Sequence, residues 1–270
     1  MTTNIVQLAA DHPGFADPAY RARRDRIAEI ALGYRAGPIP DAPYVESEHA
    51  VWREVWSRLD PLHARLVSRE VLAILGEFPI DRERVPQLAE INRALERQSG
   101  FRLAPVAGLV PPRHFLAQLG ERVFLSTQYV RHPSRPFYTP EPDVIHELVG
   151  HAPTLAHPAL AALNQKFGHA ARIADRPGLA RIERVYWFTL EFGVCLENGA
   201  IKAIGAGLLS SFGELERCPS APTRLAWDLD RMAQTDYDTS RYQDRLFVAP
   251  SFAGMVADVD AWLDAQTRGR

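Results

Sequence analysis

The stretch Pro140-Glu141-Pro142-Asp143-Val144-Ile145-His146-Glu147-Leu148-Val149-Gly150-His151 decides how this chain is read. It places two histidines five residues apart, beside acids, in an otherwise apolar run. On a regular helix five residues turn through a net of about 140°, so the two rings would not share a face. The zinc-peptidase pattern HExxH uses a spacing of four, which does bring them together. Gly150 and Pro153 flank His151, so the helix is expected to bend or end here and bring both imidazoles onto one metal ion. A third ligand must come from elsewhere, and Glu191 is the best candidate. It stands in Tyr186-Trp187-Phe188-Thr189-Leu190-Glu191-Phe192-Gly193, a very apolar run where an unpaired carboxylate is costly. Trp187, four residues earlier, lies on the same helix face. Spacing alone leaves open two packing histidines and a Glu191–Arg184 ion pair. Two neutral imidazoles and one carboxylate make the facial donor set of non-haem iron(II) oxygenases, which leaves positions for water, oxygen and a cosubstrate.

Outward from this centre the chain reads as mainly helical. A first helix starts near Asp17-Pro18 and carries Ile27, Ile30, Ala31 and Tyr34 as one stripe. Gly37-Pro38 and Pro40 break it. A second runs through Val51, Trp52, Val55, Trp56 and Leu59. A third is expected to start at Asp60-Pro61, with Asp as cap and Pro at the first helical position, and to continue through Leu62, Leu66 and Leu72. Another holds Leu88, Ile91 and Leu95 and closes at Gly100. Residues 101–142 are rich in proline, glycine, aromatics and β-branched residues, which fits short strands and loops with one short helix near 112–119. Helix returns after Pro158, and a longer one runs from about 179 to 192. Asn198-Gly199 between the apolar runs 194–197 and 201–204 predicts a hairpin. From Trp227 onward helix is expected again. The fold class is therefore mainly α: a single catalytic domain of packed helices over 1–270 with a little short strand and hairpin structure. Its helical part covers 1–100, its core about 101–253 and a last helix about 252–267.

Bulk composition narrows the function. Lys and Arg number 31 against 33 Asp and Glu, a formal net charge of -2, which excludes a general nucleic-acid binder. The local run Arg21-Ala22-Arg23-Arg24-Asp25-Arg26 reads as a solvated helix face. Cys195 and Cys218 form no CxxC pair and no disulfide framework, and Cys195 reads as a small buried hydrophobe. The first residues show no basic region followed by an apolar one, and no run approaches the length of a membrane span. A monomer in the reducing cytoplasm, without nucleic-acid or membrane partners, is expected.

Five blocks sharpen the reading: PVAGLV (105–110), TQYVRH (127–132), TPEPDVIHELVGH (139–151), YWFTLEFGVC (186–195) and GAGLLSSFGEL (205–215). In order and spacing they resemble the pterin-dependent aromatic amino acid hydroxylases. The resemblance covers the chain from about residue 100 to 253 and reaches weakly into the N-terminal helices; its length is that of the catalytic domain alone. It implies iron(II) held by His146, His151 and Glu191, a tetrahydropterin, and oxygen as cosubstrate. It implies that Arg131 holds the substrate carboxylate, which suits a guanidinium fork, with Thr139 and Ser210 also at the amino acid's polar end. Pro142, Trp187 and Phe192 would wall the substrate ring. Phe115 would stack on the pterin, with the backbone of Gly108, Leu109 and Val110, and with Glu147 and Tyr186, completing that pocket. Asp143 would support a ligand imidazole. Three departures stand out: Pro111-Pro112 in the pterin loop, Leu125-Ser126 before Thr127, and the divergent segment Asp236-Tyr237-Asp238-Thr239. The implied reaction is ring hydroxylation of a free aromatic amino acid, phenylalanine to tyrosine being favoured by Trp187. Tryptophan hydroxylation, phenylalanine 3-hydroxylation, a zinc hydrolase and a non-catalytic amino-acid-binding module are the alternatives.

Overall fold

Aspartate and proline start the first helix as their chemistry requires. In the computed structural model, which describes residues 6, 8–137, 139, 141–239 and 241–268, the Asp17 carboxylate accepts from the Ala19 and Tyr20 N–H groups and opens α1 (Pro18–Gly33). The next helix, α2 (Glu46–Leu66), runs through Pro61, where the sequence predicts a break and a new start. Asp60 does not cap; its carboxylate meets Arg82 at 3.0 Å. A proline inside a helix costs about 3 kcal/mol. Leu59, Leu62 and Leu66 lie buried along one stripe across it, each contributing roughly 1.5–3 kcal/mol, and the stripe wins. Leu72 belongs to a separate helix, α3 (Arg69–Glu77), after the turn at Val67 and Ser68. α4 (Leu88–Gln98) ends before Gly100, which takes φ 73°.

The middle of the chain follows its mixed composition. β1 (Arg102–Pro105) and β2 (Val123–Ser126) pair in parallel across α5 (Pro112–Leu119). A π turn (His146–His151) leads into α6 (Ala152–Ala156) and α7 (Pro158–Ile173). α8 (Arg176–Tyr186), capped by Asp175, starts earlier than the apolar stripe suggests and passes into a second π turn (Trp187–Glu191). β3 (Val194–Glu197) and β4 (Ala200–Ala203) form the hairpin, with Asn198 and Gly199 at φ 51° and 76° as a type I′ turn requires. β4 begins one residue before the expected run. Then come α9 (Ala206–Ser210), α10 (Phe212–Arg217), β5 (Thr223–Ala226), α11 (Leu229–Met232), β6 (Arg245–Ala249) and α12 (Phe252–Thr267).

The segment after Trp227 is less helical than expected. β6 lies inside a four-stranded sheet of order β4-β3-β6-β5, parallel to both its neighbours. Its Leu246, Phe247 and Ala249 are buried, so no clean alternation of polar and apolar residues marked it. The fold is otherwise as read: mainly helical, with two small sheets. Its core joins Trp52 and Trp56 of α2 to Phe101, Phe124, Phe167, Phe188 and Phe247. The basic run of α1 is not wholly solvated. Arg24 is 2% exposed; its guanidinium lies 3.3 Å from the centre of the Tyr129 ring and 2.9 Å from Glu141. The ring face and the carboxylate together make burial of that charge tolerable. Among the described residues no helix is long and apolar enough to cross a membrane.

Candidate active site

The five-residue spacing of the histidines is met by a π turn, not by a bend or a helix end. The Ala152 N–H bonds the Glu147 carbonyl five residues back, so the chain stays helical while His146 and His151 come round to one side. Their Nε2 atoms lie 3.0 Å apart. Glu191 closes the second π turn, in which the Phe192 N–H reaches back to Trp187. Its Oε1 lies 2.9 Å from His151 Nε2 and its Oε2 3.7 Å from His146 Nε2. One ligand atom from each of the three residues lies within 4.8 Å of the others. Arg184, the alternative partner for Glu191, pairs instead with Asp236.

Two glycines let these turns close on a common support, the segment 205–210. A Cβ on Gly150 would overlap the Ala206 carbonyl oxygen, and one on Gly205 would overlap the Glu191 carbonyl. From this support Ser210 Oγ meets His146 Nδ1 at 2.8 Å and donates to the Ala206 carbonyl at 2.8 Å. The hydroxyl proton is thereby committed, so Ser210 accepts from Nδ1–H, and the Nε2 lone pair of His146 faces the cluster. Asp143, expected behind an imidazole, is engaged elsewhere. It accepts from Arg131 Nε and Nη2, from the Arg131 backbone N–H and from the His146 backbone N–H, at 2.8–3.1 Å. Behind His146 the supporting side chain is Ser210; Asp143, expected to support a ligand imidazole, reaches His146 only at its backbone N–H.

The charges follow from burial and proximity. Burial, with His151 beside it, holds His146 down to about 4. Burial also works against a charge on His151, but Glu191 outweighs it and raises that ring; Glu191 itself, though buried, is pulled below its ordinary range by His151. Without a metal the His151–Glu191 contact at 2.9 Å is an ion pair; a divalent cation can replace its proton and take all three converging donors. This donor set fits a divalent metal ion, and its open side faces a cavity, unlike the closed shell of a structural zinc.

That cavity is about 410 Å³, enough for a small organic ligand beside a cofactor. It brings together all the site residues read from the sequence. Gly108, Leu109, Val110, Phe115, Glu147 and Tyr186 line it together with Arg131, Thr139, Pro142, Trp187, Phe192 and Ser210. Phe115 lines the cavity with its ring nearly perpendicular to those of Phe124 and Tyr186. Glu147 accepts from the N–H and hydroxyl of Thr127, and burial pushes its carboxyl up to about 8. Leu109 is 74% exposed at the mouth. Arg131 is buried and lines the cavity; Asp143 accepts from its Nε at 2.9 Å and its Nη2 at 2.8 Å, and its Nη1 donates to the Pro136 carbonyl at 3.3 Å. Ser210 lines the cavity and also meets His146 Nδ1, and Thr139 donates to the Glu141 carbonyl.

Sequence reading passed over four residues of this wall. Phe124 lies 4.4 Å, ring centre to ring centre, from His151. Tyr237, in the divergent segment, stacks on Trp187 at 4.3 Å with an interplanar angle of 11°. Gln243 accepts from the Trp187 indole N–H at 2.9 Å. Glu214, inside the fifth block, is buried and pushed up to about 7 by that burial. Only Tyr237 and Glu214 had a local signal, each through its block or segment.

Three protein donors open to a largely apolar, aromatic cavity with Arg131 in its wall define a mononuclear metal enzyme acting on a small organic substrate. The family profile of the biopterin-dependent aromatic amino acid hydroxylases matches residues 1–268, and the chain belongs to that family. It is 49% identical over 92% of its length to the chloroplastic phenylalanine 4-monooxygenase of Chlamydomonas reinhardtii, of which it spans 69%. It is 47% identical over 91% of its length to human tyrosine 3-monooxygenase, spanning 48% of that protein. A crystal structure of phenylalanine hydroxylase from Chromobacterium violaceum, with bound iron(III) and 7,8-dihydrobiopterin, superposes with a TM-score of 0.76 at 32% identity, covering 83% of each chain. The chain thus spans about half to two thirds of the curated relatives named here.

Proposed function

We propose that this protein is an iron(II)- and tetrahydropterin-dependent monooxygenase that converts free L-phenylalanine to L-tyrosine. The observation that carries the reading is the meeting, in one cavity, of the His146–His151–Glu191 cluster, Arg131 and an aromatic wall. When bound, the metal and the reduced pterin supply the activation of oxygen. The chain supplies position. His146, His151 and Glu191 would hold the iron, and Ser210 keeps His146 in the tautomer that presents Nε2. Arg131, itself fixed by Asp143, would anchor the amino acid's carboxylate. Pro142, Trp187 and Phe192 would direct the ring to the metal and exclude water. Phe115, Glu147, Tyr186 and the backbone of 108–110 would seat the pterin. Phenylalanine is favoured because the ring wall is apolar and because the algal and bacterial relatives act on it. We further infer a monomer of the reducing cytoplasm, a setting that suits two free, buried cysteines.

The test is aerobic turnover with iron(II), a tetrahydropterin and equimolar phenylalanine, tyrosine and tryptophan, products being separated by mass and retention. Pterin-dependent tyrosine formation at the expense of phenylalanine is expected. Gain of one oxygen on tyrosine or tryptophan instead would move the substrate within the family. No oxygenated product from an iron-loaded protein would overturn the reading.

A further inference from the structure

The aromatic wall beside the metal cluster is built from two distant pieces of chain. Trp187 comes from the second π turn, and Tyr237 from the segment between α11 and β6. One side chain joins them. Gln243 is 6% exposed, and its amide is used in full. Oε1 accepts from Trp187 Nε1 at 2.9 Å; Nε2 donates to the carbonyls of Asp238 at 3.1 Å and Arg241 at 3.2 Å. Its backbone N–H donates to Glu214 Oε1 at 2.9 Å, fixing the residue itself. Leucine lacks every one of these side-chain groups, and glutamate would set a second oxygen against two carbonyls. Trp187 is thus held by its indole N–H on one side and by the Tyr237 and Phe192 rings on the other.

We propose that Gln243 is a specificity-determining positioning residue: it locks the Trp187–Tyr237 pair and so sets the width of the slot that selects one aromatic amino acid over another. The proposal rests on the monooxygenase reading given above. Gln243 acts through Trp187 and the Asp238 and Arg241 carbonyls; it is not placed on the reacting atoms. A rigid wall excludes the bulkier indole substrate, whereas a wall free to shift admits it.

The test compares wild type with Gln243→Leu, Gln243→Glu, Trp187→Phe and the double variant Gln243→Leu/Trp187→Phe, all iron-loaded. Calorimetric titration with phenylalanine and with tryptophan gives binding selectivity without turnover, and steady-state kinetics give kcat and KM for amino acid and pterin. Gln243→Leu is expected to weaken phenylalanine binding and to compress the phenylalanine-to-tryptophan preference, each by on the order of tenfold, the scale of one or two neutral hydrogen bonds. Iron content and pterin KM should not change. Gln243→Glu, which keeps an acceptor for Trp187, should lie between, and serves if the leucine variant does not fold. In the double variant the selectivity effects should be less than additive, because both changes break one contact. A lower melting temperature with unchanged preference in every variant overturns the proposal and makes Gln243 a purely structural amide. Wild type that selects phenylalanine while the variants do so equally overturns this proposal alone; wild type that binds neither amino acid overturns it together with the functional reading.

Discussion

Replacing Ser210 with alanine removes the acceptor that the structure gives His146 Nδ1, while leaving the helix α9 backbone unchanged. The buried N–H then has no partner, and such a group costs about 1–3 kcal/mol. Part of that cost falls on the tautomer that presents Nε2, so it is charged against metal binding. At about 1.4 kcal/mol per factor of ten, iron affinity should fall roughly 5- to 100-fold. The assay is competition for iron(II) against a graded series of chelators, followed by the iron retained per chain. The competing role, in which Ser210 holds the amino acid's polar end, makes the opposite pattern: a raised KM for phenylalanine with iron affinity intact. Iron affinity within about twofold of wild type would show that the Ser210–His146 contact does not set the ligand tautomer.

Other consequences are equally direct. Arg131→Lys replaces a planar fork with a point charge and gives up one of the two Asp143 contacts, so KM for the amino acid should rise at least about tenfold with pterin KM unchanged; steady-state kinetics decide, and an unchanged KM removes Arg131 from the carboxylate site. Glu214 is held at about 7, above its ordinary 4.5, by burial. A raised folded-state value favours the protonated form, so its stability contribution is whole below about pH 4.5 and is lost as pH rises through about 7. Chemical denaturation across that window should show wild type losing up to about 3 kcal/mol that Glu214→Gln does not lose; equal slopes would refute the account. Gly150→Ala forces a methyl group onto the Ala206 carbonyl and should destabilise the fold by about 1–3 kcal/mol, read as a lower melting temperature; an unchanged melting temperature would mean that the 205–210 segment yields freely.

How much of this was legible beforehand depended on distance along the chain. The Asn198-Gly199 hairpin, the helix start near Asp17-Pro18 and the helix over Pro112–Leu119 are specified by adjacent residues, and sequence alone placed them. Pro61 misled because a local rule met a stripe that packing favoured more. β6 was missed because a strand buried on both faces lacks alternation. Arg24 looked solvated because its partner Glu141 is 117 residues away. In the site, the blocks marked the residues that converge on the cavity but not how they are wired. Which oxygen stands behind His146, and which amide holds Trp187, are contacts across 64 and 56 residues, for which no spacing rule exists.

A π turn can be described as an α-helix that has swallowed one extra residue. In a regular helix each residue adds about 100° of rotation and about 1.5 Å of rise. The additional residue within His146–His151 therefore re-aims everything that follows it, including the buried Leu155 and Ala156 of α6. Deleting one residue from 148–150 would shorten the spacing to the four of a zinc peptidase and let the histidines meet on an ordinary helix. It would also turn α6 away from the core it now fills. The metal geometry and the packing of the following helix are thus one choice of phase, made by a single residue.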